Sequence, residues 1–462
     1  MRKTLLLAFL LMTVPAFAQP AIPDTAMGKT LSDYLTALNS GDTAQINTFK
    51  SAHHFDEPPQ DLQNFYRQTG GFTLLKVESA DATSIVSLMQ EKRSETIARF
   101  IIKEIGTAEA PKLSVSARAI PRPAEFAIPR LSQAVALKAL EDRARDEEKN
   151  DKFSGVYLIA RDGKVVSAKA FGWEDREAKR KVTLDTKFRI GSMNKMFTAV
   201  AALQLVAAKK LSLDGTVGTY IPDYPNKEIA DKVTIRMLLT HTGGTGDFFG
   251  PEYDAKRLSL KTHADYMALF GARSPRFTPG SRDAYSNYGF LLLGNIIEKV
   301  SGQSYYDYVA KNIFAPAGMT NTGSLPEDEA VPHRATAYTW KDSWVVNDTL
   351  SYRGMSAGGG YSTAGDLLKF AQALRTEKLL PGRLVADATT PHNHNGNYGY
   401  GFGVEGTGLF LHFGHNGGAP GQNGDLQIYP ALGIVVIALS NFDPPAAGNL
   451  SSFYANRMPA AR

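Results

Sequence analysis

No cysteine occurs in the 462 residues. Disulfides, thiolate nucleophiles and cysteine metal sites are therefore excluded, as is a lipid-modified cysteine behind an export signal. Long apolar runs are nearly as scarce. One lies at 5–14, preceded by Arg2 and Lys3 and followed by Ala16-Phe17-Ala18, a small-x-small cleavage pattern before Gln19. That is the design of a secretory signal peptide over 1–18, too short to span a bilayer as a stable helix. With no second run approaching spanning length, the mature chain is expected to be soluble, without a membrane span, and exported, most simply to a bacterial periplasm. Runs of Lys or Arg are also missing. The net charge of +5 is modest for this length and points to neither nucleic acid nor an anionic membrane.

What is present suffices for a large core. Hydrophobic side chains make up 43% of the chain, and the length suggests two domains. Residues 19–119 read as a small α+β domain. Leu31, Tyr34, Leu35 and Leu38 mark a helix face ended by Asn39-Ser40-Gly41. Strand-like runs follow Gly70-Gly71 at 72–79, 84–91, 96–105 and 112–118, separated by polar breaks, which suggests an antiparallel meander. A helix pair before such a meander, together with Leu38-Asn39-Ser40-Gly41-Asp42, resembles the cone-shaped NTF2-like fold. Domains of that kind hold a small ligand or dimerise, so a homodimer through this region is one expectation. A packing or spacer module is the plainer one.

A proline-rich linker covers 120–130, with Pro121, Pro123 and Pro129. Beyond it a helix at 131–148 precedes a hairpin, 154–160 and 164–171, turned by Asp162-Gly163. The middle of 131–462 is mostly helical with many glycine and proline breaks. Strands return at 398–405, 409–415, 424–429 and 433–441, before a final helix from about Gly448. Strands at both ends predict one antiparallel sheet completed by the two ends of this region, flanked by helices, with a helical section inserted.

The stretch with most chemical meaning is 188–197. A short apolar run meets Gly191, then Ser192, then Lys195, and Met193, Met196, Phe197, Val200 and Leu203 follow at helical spacing. Residues three apart share a helix face, so Ser192 and Lys195 point into the same space. Ser192 also opens the helix, where free amides and the dipole favour a developing anion. On its own the pattern reads more readily as an N-cap serine with a solvated lysine; what lies downstream changes that. Tyr-x-Asn occurs at Tyr224, Tyr285 and Tyr454. Only Tyr285-Ser286-Asn287 stands between a turn, Thr278-Pro279-Gly280, and an apolar helix, 288–300, closed by Gly302. A phenol there, buried near a cation, is expected to act as acid and base with a pKa lowered from about 10. His-x-Gly begins at His241, His394, His412 and His415. Only His415-Asn416-Gly417-Gly418 ends a strand in a glycine-rich turn, where the amides of Gly418 and Ser192 are expected to form an oxyanion hole. His412, three residues earlier, belongs on the opposite strand face. His392 and His394 form a His-x-His without an evident third ligand, so no metal is expected.

In order and spacing, Ser192-Met193-Asn194-Lys195, Tyr285-Ser286-Asn287 and His415-Asn416-Gly417 resemble the serine β-lactamase and penicillin-binding superfamily, in its class C β-lactamase, DD-peptidase and esterase branch. The resemblance covers about 131–462. Leu238-Leu239-Thr240-His241-Thr242-Gly243-Gly244 and Gly359-Gly360-Tyr361-Ser362-Thr363-Ala364 look like the same branch; His241 reads as structural, and Thr363-x-x-Asp366 as a capping box. The resemblance implies an α/β (α+β) fold and an acyl-enzyme on Ser192. Lys195 is then the general base, or shares the proton with Tyr285. Asn287 bonds Lys195 or a substrate amide, and His415, Gly417 and Gly418 bind substrate. For Lys195 to accept a proton near pH 7, its pKa must fall by roughly three units, about 4 kcal/mol against the charged form.

One departure bears on activity. The strand element of most class C β-lactamases is Lys-Thr-Gly, whose charge pairs with a carboxylate. Histidine stands here, mostly uncharged at neutral pH, and no glutamate-based deacylation element of the class A kind is evident. The expectation is an exported serine hydrolase without metal or cofactor, acting on a small molecule or peptide with an ester or amide carbonyl. Esterase or peptidase activity of the DD-peptidase or D-amino-acid peptidase type is favoured over β-lactamase activity. A non-catalytic ligand-binding protein and a scaffold dimerising through its N-terminal domain are the alternatives of other classes. Selectivity is expected in loops at about 244–273 and 330–356.

Overall fold

The computed structural model describes residues 20–107 and 109–461; the expected signal peptide lies outside them. The chain divides into two compact units, 1–128 and 129–462.

Among its described residues the first unit has three α-helices, Ala26–Ser40, Thr43–His53 and Pro59–Thr69, one more than the helix pair expected from sequence, then a four-stranded antiparallel meander. The phrase around Asn39 has a local reason. Gly41 ends the first helix in the left-handed conformation, at φ 61°, where glycine is tolerated best. Asp42 caps the next helix by accepting from the Gln45 amide. Between them the Asn39 side chain bonds both backbone groups of Phe72, at 2.7 and 2.9 Å, which ties the first helix to the first strand. The strands Phe72–Ala80, Ser84–Glu91, Ile97–Thr107 and Ala110–Ile120 lie where the hydrophobic runs put them.

In the second unit, six strands form one antiparallel sheet. Across it run Gly403–Glu405, His412–Ala419, Gln422–Tyr429, Ile434–Ser440, Gly155–Arg161 and Lys164–Phe171. Ile434–Ser440 pairs with Gly155–Arg161, so the two ends of the unit complete the sheet. Asp162 and Gly163 turn the first hairpin with φ of 47° and 81°, the double positive φ that matches strand twist. The central strands are apolar nearly throughout because both faces are covered. Val156, Leu158, Ile437 and Leu439 enter the larger core, while Tyr157, Ile159, Ile434 and Val436 enter the smaller one. That alternation is the two-residue period of a strand serving two cores. On the first face lies Asn194–Ala207, a helix with eleven of its residues buried, the polar Asn194, Lys195 and Thr198 among them. On the other lie Gln133–Lys149 and Ala446–Ala455, whose Leu140 and Leu450 share the smaller core.

Three expectations need correction. The run at 398–405 is a strand only over Gly403–Glu405, because Asn393 Oδ1 takes the amides of Asn397 and Tyr398 and Gly401 turns at φ 73°. The stretch from His415 to Gly418 is mid-strand rather than a glycine-rich turn, since the strand continues to Ala419. Thr363 does cap its helix through the Asp366 amide, but the Asp366 carboxylate bonds Asn321, Thr322 and Lys369 instead of closing a reciprocal box.

Candidate active site

Ser192 sits in a single turn of 3-10 helix, Gly191–Met193, that leads into Asn194–Ala207. The turn is braced from two sides. Gly359 donates to the Gly191 carbonyl at 3.1 Å, and Ile190 donates to Gly360 O at 3.3 Å, which accounts for the Gly359-Gly360 phrase. Opposite, the strand His412–Ala419 passes so close that a Cβ on Gly417 would stand 1.9 Å from Ile190 O and 3.0 Å from the Ser192 amide. A Cβ on Gly191 would meet the Gly418 amide at 3.0 Å. Gly417 is required here for approach, and Gly191 both for approach and for its left-handed φ of 51°. The contact brings the Ser192 and Gly418 amides together, and both residues line the cleft.

Lys195, one turn on, is fully buried. Its Nζ lies 3.2 Å from Ser192 Oγ and 2.7 Å from Asn287 Oδ1, and bonds the Ala357 carbonyl. Burial lowers its pKa from 10.5 to about 7, against the opposing charge of Asp247. A neutral amine has two N–H groups and one lone pair. Two of the three neighbours, Asn287 Oδ1 and Ala357 O, can only accept, so the lone pair is left for the Ser192 hydroxyl.

Tyr285 and Asn287 come from the loop and first residue of the helix Asn287–Ser301, which Ser286 caps through the Gly289 amide. Tyr285 is 47% exposed at the cleft, its ring covers Lys195 Nζ at 4.7 Å, and its hydroxyl faces Ser192. The expected lowering of its pKa is contradicted. Desolvation pushes the phenol well above 10, the Ser192 bond only partly offsets this, and Asp247 raises it further. Lys195 has lost its charge well below the pH at which a phenol ionises, so it cannot stabilise a phenolate. Asn287 uses both ends of its amide on the protein, Oδ1 for Lys195 and Nδ2 for Asp247 at 2.8 Å, so of its two expected partners the structure provides Lys195.

His415 is buried, with a pKa lowered to about 3 by desolvation first and the Lys195 charge second, against a bond to Asn416 O. Its Nδ1 faces that carbonyl and its Nε2 lies 2.9 Å from the Tyr398 hydroxyl. A carbonyl only accepts, so Nδ1 carries the proton and Tyr398 donates to Nε2. His412 points to the other strand face, stacked on Tyr429 at 4.6 Å. His392 bonds Asp387 and stacks on Tyr400. Among the described residues no group of three or more His, Cys, Asp or Glu could hold a metal.

Two residues of this neighbourhood, Tyr398 and Asp247, escape the sequence reading. Tyr398 was assigned to a strand, and Asp247 lies in a loop without periodicity. His241, read as structural, holds the tyrosine element directly: its Nδ1 accepts from the Ser286 amide at 3.1 Å, and its ring packs on Tyr285 and Tyr398 at 4.2 and 4.6 Å. A further serine, histidine and carboxylate stand in hydrogen-bonding order behind the site. His263 reaches Ser356 Oγ at 2.8 Å and Glu298 at 3.1 Å. Ser356 is wholly buried, so it is no second nucleophile. It fixes the backbone before Ala357, and Gly294 makes room for it, since a Cβ there would lie 2.3 Å from Ser356 Oγ.

Two cavities meet at Ser192. One, of ≈ 720 Å³, runs along the strand past Tyr398, His415 and Asn416. The other, of ≈ 490 Å³, is walled by Phe248, Phe249, Tyr253 and Tyr266. Ser192, Tyr285 and Gly418 line both.

A serine beside a buried lysine, under a tyrosine and along a sheet edge, is the arrangement of a serine β-lactamase or penicillin-binding fold. The chain belongs to the Beta-lactamase family, whose pattern matches residues 140–457. Putative penicillin-binding protein PbpX of Bacillus subtilis is 31% identical over 265 residues, 55% of this chain and 65% of that protein. Esterase EstB of Burkholderia gladioli is 33% identical over 46% of this chain and 57% of its own length. The matches thus span between half and two thirds of these relatives. Among solved structures, a penicillin-binding protein from Bacillus halodurans aligns with TM-score 0.63 and 31% identity, over 68% of this chain and 99% of that one. A D-stereospecific amidohydrolase from Streptomyces sp. aligns with TM-score 0.58 and 27% identity, over 68% and 96%. Esterase and amidohydrolase relatives on this fold support a hydrolase.

Proposed function

We propose that the protein is an exported serine hydrolase that forms an acyl-enzyme on Ser192 and cleaves esters or amides. The observation that carries this is the neutral-leaning Lys195 with two donors engaged and its lone pair left for Ser192 Oγ. Lys195 takes the Ser192 proton as Oγ bonds to the substrate carbonyl carbon. The oxyanion forms against the Ser192 and Gly418 amides. Tyr285, a neutral phenol, passes the proton from Lys195 to the leaving oxygen or nitrogen as that bond breaks. Water then attacks the ester on Ser192, gives its proton back through the same pair, and releases the acid.

Neutral His415 offers no charge for a carboxylate, which favours an ester or peptide substrate over a β-lactam. Esterase and amidohydrolase relatives support the same preference. Export rests on the leader read at 1–18, and the N-terminal unit is proposed as an NTF2-like accessory domain, supported by helices followed by a four-stranded meander. Steady-state hydrolysis of 4-nitrophenyl butyrate, D-phenylalanine amide and a cephalosporin tests the reading. Turnover of the ester or amide that Ser192→Ala abolishes supports it. Turnover that survives Ser192→Ala, or none of any substrate, removes it.

A further inference from the structure

The aromatic cavity holds one feature that the hydrolase chemistry does not use. One of its walls is aromatic. Phe248 packs on Phe249, Tyr253 and Tyr266 at 4.4 to 5.2 Å, and Phe249 stays 59% exposed at the cavity. Exposed large aromatic surface beside a nucleophile needs an occupant. Arg353 lines the same cavity. Its Nε donates to Ser324 O at 2.9 Å and its guanidinium stacks 3.4 Å over the Tyr306 ring. Stacking and one hydrogen bond hold the planar fork in place, yet among the described residues no carboxylate pairs with it. The four Nη hydrogens have no protein acceptor there. Asp254, the one carboxylate lining the cavity, is exposed to water, where solvent screens it.

The two cavities differ in how they serve the reaction. Tyr285 stands at the mouth of both cavities, and the polar groups beside it, His415, Tyr398 and Asn416, lie on the strand side, so a polar leaving group fits there. The acyl part then enters the aromatic cavity. We propose that this cavity is an acyl-specificity site for acids with an apolar or aromatic body and a terminal carboxylate, which Arg353 binds. The proposal rests on the hydrolase reading above and names its acyl substrate class. Arginine suits the task because its fork meets both carboxylate oxygens, in bonds stronger than those between neutral groups.

The test compares 4-nitrophenyl esters of (4-carboxyphenyl)acetic acid and (4-methylphenyl)acetic acid, which share a leaving group and differ at the far end. Wild-type protein should favour the carboxylated ester by roughly tenfold or more in kcat/KM, mainly through KM. Arg353→Met should lose that preference, read as the ratio of the two esters within the variant. Capping the carboxylate as its methyl ester should remove the preference in wild-type protein, which decides the matter even where the variant folds poorly. Equal rates on both esters, or a preference that persists in Arg353→Met or after capping, overturn the acyl site and leave the hydrolase standing. No cleavage of either ester, with no labelling of Ser192 by a fluorophosphonate, removes the hydrolase reading and this site with it.

Discussion

Lys195 Nζ stands 3.2 Å from Ser192 Oγ while its two other hydrogen bonds end on Asn287 Oδ1 and the Ala357 carbonyl. The side chain is sealed from water, and that burial is what makes an amine with an ordinary pKa of 10.5 titrate at about 7. The charge state of one atom therefore couples the packing of the core to the reactivity of the serine.

Acylation should need the neutral amine. The kcat/KM for an ester is expected to fall about tenfold per pH unit below roughly pH 7 and to level off above it. Asp247 raises the Lys195 pKa, so Asp247→Asn should move this limb to lower pH, while its amide oxygen still accepts from Asn287 Nδ2. A pH profile of both proteins between 5 and 9 checks this. A limb that does not move, or that moves upward, speaks against Lys195 as the titrating base.

The same shift has a consequence for stability. The unfolded chain binds a proton at this lysine up to about pH 10.5, the folded chain only up to about 7. Stability from this group therefore rises as pH rises through that window, and the full penalty, on the order of 4 kcal/mol, applies below it. Lys195→Met removes the penalty but leaves two acceptors without their donor. Relative to wild type it should be more favourable at pH 6 than at pH 10, by a few kcal/mol. Urea unfolding at the two pH values measures the difference; the absence of any pH dependence would count against a buried neutral amine.

Gly417→Ala should inactivate the enzyme. Its Cβ would lie 1.9 Å from Ile190 O, a backbone atom in the turn that holds Ser192, so strand or turn must move. A displacement near 1 Å at a nucleophile costs on the order of 10²-fold in rate. Gly365→Ala, whose nearest neighbour would be 3.9 Å away, is the control and should leave activity unchanged. Ester turnover by the two variants checks the contrast.

Much of this site was legible because its chemistry is written in short local patterns. The Ser192–Lys195 spacing survives even though the turn is 3-10 rather than the first turn of an α-helix. The apolar run after Asn287 marked its helix within a residue. The loops named for selectivity, 244–273 and 330–356, supply Phe248, Tyr253, Tyr266 and Arg353 to one cavity. What stayed hidden depends on contacts distant in sequence. Tyr398 reaches His415, and His241 supports Tyr285, from loops whose own residues show no period. Gly417 and Gly418 suggested a turn, because nothing local reveals that the serine loop packs against them. The direction of the Tyr285 pKa shift needed coordinates as well, since it follows from how deeply the phenol is desolvated.

The most direct measurement is the mass of the intact protein after brief exposure to a fluorophosphonate, followed by peptide mapping, with Ser192→Ala beside it. One adduct per chain, located on the peptide containing Ser192 and absent from the variant, is the predicted result. No adduct on either protein, or an adduct on another residue that persists in Ser192→Ala, would contradict a nucleophile at Ser192.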